Sequence, residues 1–459
     1  MIIKNIGELV GVVPEGVLRK CGAEMSEVGI LRDAWLRIED GKIADFGSGE
    51  TASRRTPLSS ASLRPLPSSS ASSPCDNLLP TGPSPCPCPG VDTPPGGSFS
   101  GAYSLETVID AEGGMVMPAF CDSHTHIVYA GSREGEFLDK INGLSYEQIA
   151  ARGGGILNSA DLLHRTSEDE LYEQSMVRVR EMMDAGTGAM EIKSGYGLNP
   201  ADELKMLRVI KRIKENVPAL VRSTFLGAHA VGRGYTHEAY VQEVIDMMPE
   251  ASPLADFVDV FCDEGFFTPD DTARILSAGS ACGLRGKIHA NELGESGGVE
   301  VGVKHGALSV DHLERTTQSQ IDVLKGTDTI PTMLPGSSFF LGIPFGDARA
   351  FIAAGLPLAL ASDYNPGSSP SGDMRFVMAL ACIRMRLTPA QAFNAVTLNS
   401  ACAMGASGET GSITTGKRAD LILTHQGWNL TRLAYNYTTP YIRQVLVGGK
   451  PVYLQKIGV

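Results

Sequence analysis

The chain has 459 residues, 42% of them apolar and 20% charged, which is enough to bury one large core and a second, smaller one. Its formal net charge of -13 is spread out with no Lys/Arg block, which argues against nucleic acid and against an anionic membrane as partners. The start, Met1 to Val13, lacks a basic stretch followed by a long apolar one, and runs such as Ala353 to Ala361 are short and broken by Pro357, so a soluble cytoplasmic protein is expected. Nine cysteines, an odd number without a repeated Cys-x-x-Cys, read as reduced and mostly buried thiols.

In chain order, Trp35 to Phe46 alternates apolar and polar residues around Asp40-Gly41 and predicts a hairpin. From about Thr51 to Ser100 nearly half the positions are Ser or Pro, with no hydrophobic period, so a disordered insert over 51–105 is expected. Cys75, Cys86 and Cys88 fall inside it with no His nearby and read as part of the insert, not as a metal clip. Glu106 to Val116 is strand-like again, around Glu112-Gly113-Gly114.

Beyond residue 116, strand and helix patterns alternate. Strands are predicted at Val116 to Asp122, Ala189 to Ser194, Val221 to Ala228, Phe257 to Asp263, Gly286 to Ala290, Ala307 to Asp311, Thr329 to Leu334 and Pro357 to Ser362. Helices lie between them, such as Asp202 to Asn216 with Leu204, Leu207, Ile210 and Ile213 on one face, and Thr268 to Gly283 opening on Thr-Pro-Asp-Asp. Eight such units imply an α/β fold, a closed TIM (β/α)8 barrel over 118–404 with its site at the C-terminal ends of the strands. Gly416 to Thr424 and Tyr441 to Tyr453, with a Gly448-Gly449 turn, are strand-like; with 1–50 and 106–117 the segment 405–459 is expected to complete a small β-sandwich domain.

Chemistry-bearing residues cluster at the predicted strand ends. His124 and His126, two apart, point to one face of the first strand; His289 ends the fifth and Asp363 the eighth. Three imidazoles and a carboxylate suit one Zn²⁺ or iron ion, which brings the pKa of a water from about 16 toward 7 and polarises a carbonyl. Glu292, three residues past His289, stands where a general acid/base is needed, and His312, ending the sixth strand, can orient the nucleophile or stabilise an oxyanion. His229 ends the third strand and reads as a further participant, whereas Asp263 and Glu264 either serve the site or cap the segment after them. His164, His237, His305 and His425 read as structural.

The string Val116-Met117-Pro118-Ala119-Phe120-Cys121-Asp122-Ser123-His124-Thr125-His126, with Gly416-Lys417-Arg418-Ala419-Asp420-Leu421, resembles the amidohydrolase superfamily. Tyr129-Ala130-Gly131-Ser132-Arg133, Ala151 to Ile156, Glu191 to Gly197, Phe225 to His229 and Ser362 to Gly367 extend the likeness to the imidazolonepropionase family, across all but the Ser/Pro-rich segment. That resemblance implies a metal-dependent hydrolase of histidine degradation, opening the ring amide of 4-imidazolone-5-propanoate to N-formimino-L-glutamate. It implies one metal ion, Zn²⁺ before Fe³⁺, on His124, His126, His289 and Asp363, and catalytic roles for Glu292, His312 and Asp363. It also implies substrate contacts at Arg133, Tyr196, His229, Glu292, Asn365, Gly367 and Ser368, where Ser stands at a position commonly Thr, and it favours a homodimer.

Three other readings are weighed beside it. A cytosine or guanine deaminase would share the metal set but have no carboxylate for Arg133 to meet. A binuclear dihydroorotase or hydantoinase needs a bridging Lys from the fourth strand, and Phe257 to Gly265 contains none. A metal-free scaffold is disfavoured because all four ligand positions are filled.

Overall fold

The computed structural model describes residues 1–49, 107–144, 148 and 154–454. The expected insert at 51–105 lies outside these residues, as does Ala151 to Gly153 of the resemblance strings.

The N-terminal segment folds as β1 (Ile2–Val12), β2 (Gly29–Glu39) and β3 (Lys42–Ser48), paired antiparallel in sequence. The predicted hairpin is present. Asp40 and Gly41 adopt φ of 49° and 76°, the double left-handed turn whose twist matches that of flanking strands. β4 (Val108–Asp110) and β5 (Gly114–Pro118) then run parallel to β1. The chain end returns as β14 (Leu421–Gln426), β15 (Ile442–Val447) and β16 (Lys450–Leu454), β14 pairing antiparallel to β5. The result is one mixed sheet in the order β16-β15-β14-β5-β1-β2-β3, with β4 on β1. Its core is the alternating set Ile3, Leu9, Leu36, Ile38, Val116, Leu421, Leu423 and Leu446.

Eight parallel strands form the larger unit: β6 (Phe120–Thr125), β7 (Thr187–Lys193), β8 (Leu220–Ala228), β9 (Phe257–Cys262), β10 (Arg285–Ala290), β11 (Ser309–His312), β12 (Ile330–Met333) and β13 (Ala359–Leu360). The ring closes past the end of β13, where Asp363 N donates to His124 O at 3.0 Å and His126 N to Tyr364 O at 2.9 Å. Helices pack around it as expected. Pro200–Asn216 is capped by Asn199 and buries Met206, Leu207, Ile210 and Ile213; Pro269–Ala281 is capped by Thr268 in a reciprocal box with Asp271.

Two strands differ from expectation. The predicted first strand, Val116 to Asp122, is divided between the two sheets: Pro118, with no N–H to donate, ends β5, Ala119 N donates to Asp420 O, and Phe120 N turns to Gly186 O in the barrel. The eighth strand shrinks to Ala359–Leu360 because Asp363, at φ 55°, leaves the extended path.

Asp420 holds the C-terminal segment together while its carbonyl receives Ala119 N at the passage into the barrel. Its buried carboxylate accepts from Thr410 Oγ1 (2.9 Å), Arg418 Nε (2.9 Å) and Gly448 N (2.7 Å). Asp420→Ala leaves these donors unpaired, so equilibrium denaturation should show a loss of about 2–4 kcal/mol with kcat unchanged.

Candidate metal centre and active site

His124 lies on β6, His126 just after it, His289 on β10 and Asp363 beyond β13, and the four converge. His124 Nε2 is 3.1 Å from His126 Nε2, which is 3.3 Å from His289 Nε2; Asp363 Oδ1 lies 3.5 Å from His126 Nε2 and 3.7 Å from His124 Nε2. Ligands around a tetrahedral ion with bonds of about 2.1 Å stand about 3.4 Å apart, so this spacing fits one small cation.

Protonation states support the fit. Asp311 Oδ2 is 2.7 Å from His124 Nδ1 and Asp259 Oδ1 is 3.1 Å from His289 Nδ1. Carboxylates only accept, so both Nδ1 atoms carry the proton and both Nε2 lone pairs face the common centre. Burial holds His124 and His126 well below the ordinary imidazole value and takes His289 down to about 3, the neutral form that binds a metal. The Nε2 lone pairs of His124 and His289 thus converge on His126 Nε2, an arrangement that one cation at the centre would satisfy.

Around this centre stand the other expected residues. His312 ends β11 with its Nδ1 3.7 Å from Glu292 and 3.6 Å from Glu314. Burial works against its charge, yet the two glutamates raise it to about 10. Burial raises Glu292 to about 7, against the opposing pull of His312. His229, lowered to about 4 by burial, donates Nδ1–H to Gly195 O at 3.0 Å and stacks on His126 with 5.2 Å between ring centroids. Tyr196 lies edge-on to His229 at 5.5 Å and to His126 at 6.2 Å.

Arg133 sits farther out, 12% exposed, beside a cavity of about 240 Å³ that Tyr129, Phe137, Phe340, Pro366 and Pro370 also line. Asn365, Gly367 and Ser368 form the frame of Asp363: Asn365 Nδ2 donates to Asp363 O (2.7 Å), its Oδ1 accepts from Gly367 N and Ser368 N, and Ser368 Oγ donates to Asp363 Oδ2 (3.2 Å).

The strand ends are strained. Asn291, His312, Leu313 and Asp363 adopt φ of 58°, 82°, 72° and 55°, each costing about 1–3 kcal/mol at a non-glycine residue. Asp263, read either way from the sequence, accepts from Glu292 N (2.7 Å), Leu293 N (3.0 Å) and Gly294 N (3.1 Å), so it anchors the loop that carries Glu292. His164 and His237 lie elsewhere, on Gly197 O at 2.7 Å and on Asp271 at 2.9 Å.

Sequence reasoning missed the layer beneath. Lys193 Nζ lies 2.6 Å from Glu191, 2.7 Å from Asp259 and 3.8 Å from Asp311, and Lys287 Nζ is on Glu191 and Ser123 O; all five charged side chains are wholly buried. The signal was present as charges at alternate positions of apolar strands, Glu191-x-Lys193 and Lys287-x-His289, which places them on the inward face. Glu314, also unforeseen, takes a hydrogen bond from Ser338 Oγ at 2.9 Å.

The amidohydrolase family model matches residues 115–452. The imidazolonepropionase of Flavobacterium johnsoniae is 48% identical, with 98% of this chain and 99% of that one covered; that of Geobacillus kaustophilus is 45% identical over 77% and 84%. Among solved structures, E. coli guanine deaminase has a TM-score of 0.68 at 13% identity, with 99% of each chain covered, and 5-methylcytosine deaminase from Klebsiella pneumoniae 0.67 at 13%, with 98% and 99% covered; these show the fold alone. With 338 residues under the family model, from 452 − 115 + 1, and near full-length relatives of one kind, the chain belongs to the amidohydrolase family, in its imidazolonepropionase branch.

Proposed function

We propose that this protein hydrolyses the ring amide C–N bond of 4-imidazolone-5-propanoate to N-formimino-L-glutamate, in L-histidine degradation. One observation carries the reading beyond the family name: a cluster of His124, His126 and His289 able to hold one ion, with Asp363 Oδ1 3.5 Å from His126 Nε2, is accompanied by a guanidinium, Arg133, that lines a cavity. The first suits attack on an amide carbonyl, the second a carboxylate on the same small molecule.

His124, His126, His289 and Asp363 would hold one ion, Zn²⁺ or Fe³⁺, which when bound lowers the pKa of a water toward about 7 and polarises the ring carbonyl. Arg133 pairs with the propanoate and so fixes which way the ring enters. Tyr196 and His229 flank the ring. As the water oxygen adds to the carbonyl carbon, Glu292, whose carboxyl burial raises above the ordinary range, accepts the water proton. His312, held cationic between Glu292 and Glu314, donates toward the oxyanion. Collapse breaks the ring C–N bond, and Glu292 returns the proton to the leaving nitrogen. Asn365, Gly367 and Ser368 meet the substrate while they brace Asp363. The unit limits read from the sequence, with the barrel at 118–404, and a homodimeric cytoplasmic enzyme complete the proposal. Among the described residues no helix is long and apolar enough to cross a membrane.

Ultraviolet decay of freshly made 4-imidazolone-5-propanoate should require the purified protein and be abolished by a chelator, with Zn²⁺ or iron restoring it. Turnover of a guanine or hydantoin control alone would move the protein to a sister activity. Glu292→Gln should lower kcat by about 10²–10⁴-fold with metal content unchanged, measured by steady-state kinetics and elemental analysis. Arg133→Ala should raise KM by about 10–100-fold at constant metal content, the loss expected for one charge-assisted pair; coincident loss of metal would overturn its assignment.

A further inference from the structure

Arg133 does not stand free. Its Nε lies 2.9 Å from Glu136 Oε2, which Nη2 also reaches, and the other oxygen of Glu136 accepts Gly155 N at 2.9 Å. Glu136 is 11% exposed and sits one turn into the helix Glu134–Ile141, no residue of which is buried. The core does not hold this helix. Its first turn is tied down by Glu136 on Gly155 and by Phe137 stacked on Phe340 with 5.4 Å between ring centroids, and its last turn by Lys140 Nζ, which donates to Gly367 O at 3.2 Å.

The guanidinium is enclosed from a second direction. A Cβ at Gly367 would lie 2.2 Å from Arg133 Nη1, so the backbone after Asp363 packs directly against the fork. Of the three nitrogens, Glu136 occupies the Nε and Nη2 edge and Nη1 lies against Gly367, so the fork is held from two directions. A guanidinium whose rotamer is fixed in advance loses less entropy when it meets a carboxylate than one on a free side chain.

We propose that Glu136 is a positioning residue that orients Arg133 and so makes the site selective for small molecules carrying a carboxylate. This inference rests on the reading of Arg133 as the carboxylate partner given above. Glu136 touches neither the metal ligands nor the reacting atoms; it acts through Arg133. Glu136→Gln keeps the size but can no longer accept from Arg133 and Gly155 together, and Glu136→Asp keeps the charge but is too short to reach both.

The test uses the metal-loaded, full-length protein and two probes that differ in one group, 3-(imidazol-4-yl)propanoate and its uncharged amide, with affinities from calorimetry and metal content and melting temperature measured alongside. Both Glu136 variants are expected to weaken the acid probe by about tenfold while the amide changes by less than about twofold, the signature of a lost charge-assisted contact without loss of the pocket. Equal weakening of both probes would make Glu136 a structural staple of the helix and overturn the proposal. Unchanged affinity for the acid in both variants, with Arg133→Ala weakening it, would also overturn the proposal while leaving the function of Arg133 intact. If Arg133→Ala itself fails to weaken the acid, the reading of Arg133 falls, and the proposal with it. Should one Glu136 variant fail to fold, the other decides.

Discussion

Five charges inside the barrel govern how the rest of this molecule is arranged. Glu191, Lys193, Asp259, Lys287 and Asp311 point inward from β7, β9, β10 and β11 and have no solvent exposure. Each is affordable only through the others, because an unpaired buried charge costs several kcal/mol. Ionised, three carboxylates against two ammonium groups leave one excess negative charge, and Asp363 at the strand ends adds a second. Two of these carboxylates, Asp311 and Asp259, accept hydrogen bonds from His124 Nδ1 and His289 Nδ1. Burial keeps His124, His126 and His289 neutral, and the hydrogen bonds to Asp311 and Asp259 turn the Nε2 lone pairs of His124 and His289 inward.

Above this layer, the loops are held by polar groups that each gather several backbone amides. Glu203 accepts from Gly195, Gly197 and Leu198, and so fixes the turn that presents Tyr196. Asp263 does the same for the Glu292 loop, and Asn365 for the segment around Asp363. Arg178 reverses the polarity: its guanidinium donates to Ile127 O and Tyr129 O and lies 3.5 Å over the Tyr129 ring, steadying the stretch between His126 and Arg133. These contacts hold the left-handed residues at the strand ends against their intrinsic preference.

Much of this was legible in the sequence, for physical reasons that also mark where it was not. The barrel was readable because parallel strands buried on both faces give short apolar runs, and the candidate ligands because their imidazoles fall at the ends of those runs. The division of Val116 to Asp122 between two sheets was hidden, since both halves are equally apolar and only Pro118 marks the break. The charged layer is only half legible: alternation puts Lys193 and Lys287 on the inward face, but their partners Asp259 and Glu191 lie tens of residues away in the sequence. Asp263 was ambiguous for a related reason, since its partners follow about thirty residues later.

The passage from β5 to β6 through the single residue Ala119 bears on the order of events during synthesis. β5 is fixed by β1 on one side and by β14 on the other, and Ala119 itself by Asp420, some three hundred residues downstream. β6 is closed by Tyr364. His124 therefore leaves the ribosome early but gains its final register only when the last segment of the chain arrives. Contacts of such long sequence separation are slow to form, because chain closure must precede any gain from them. The growing chain thus carries an incomplete set of these imidazoles through most of translation, and the cluster they form in the folded protein exists only once the chain is nearly whole.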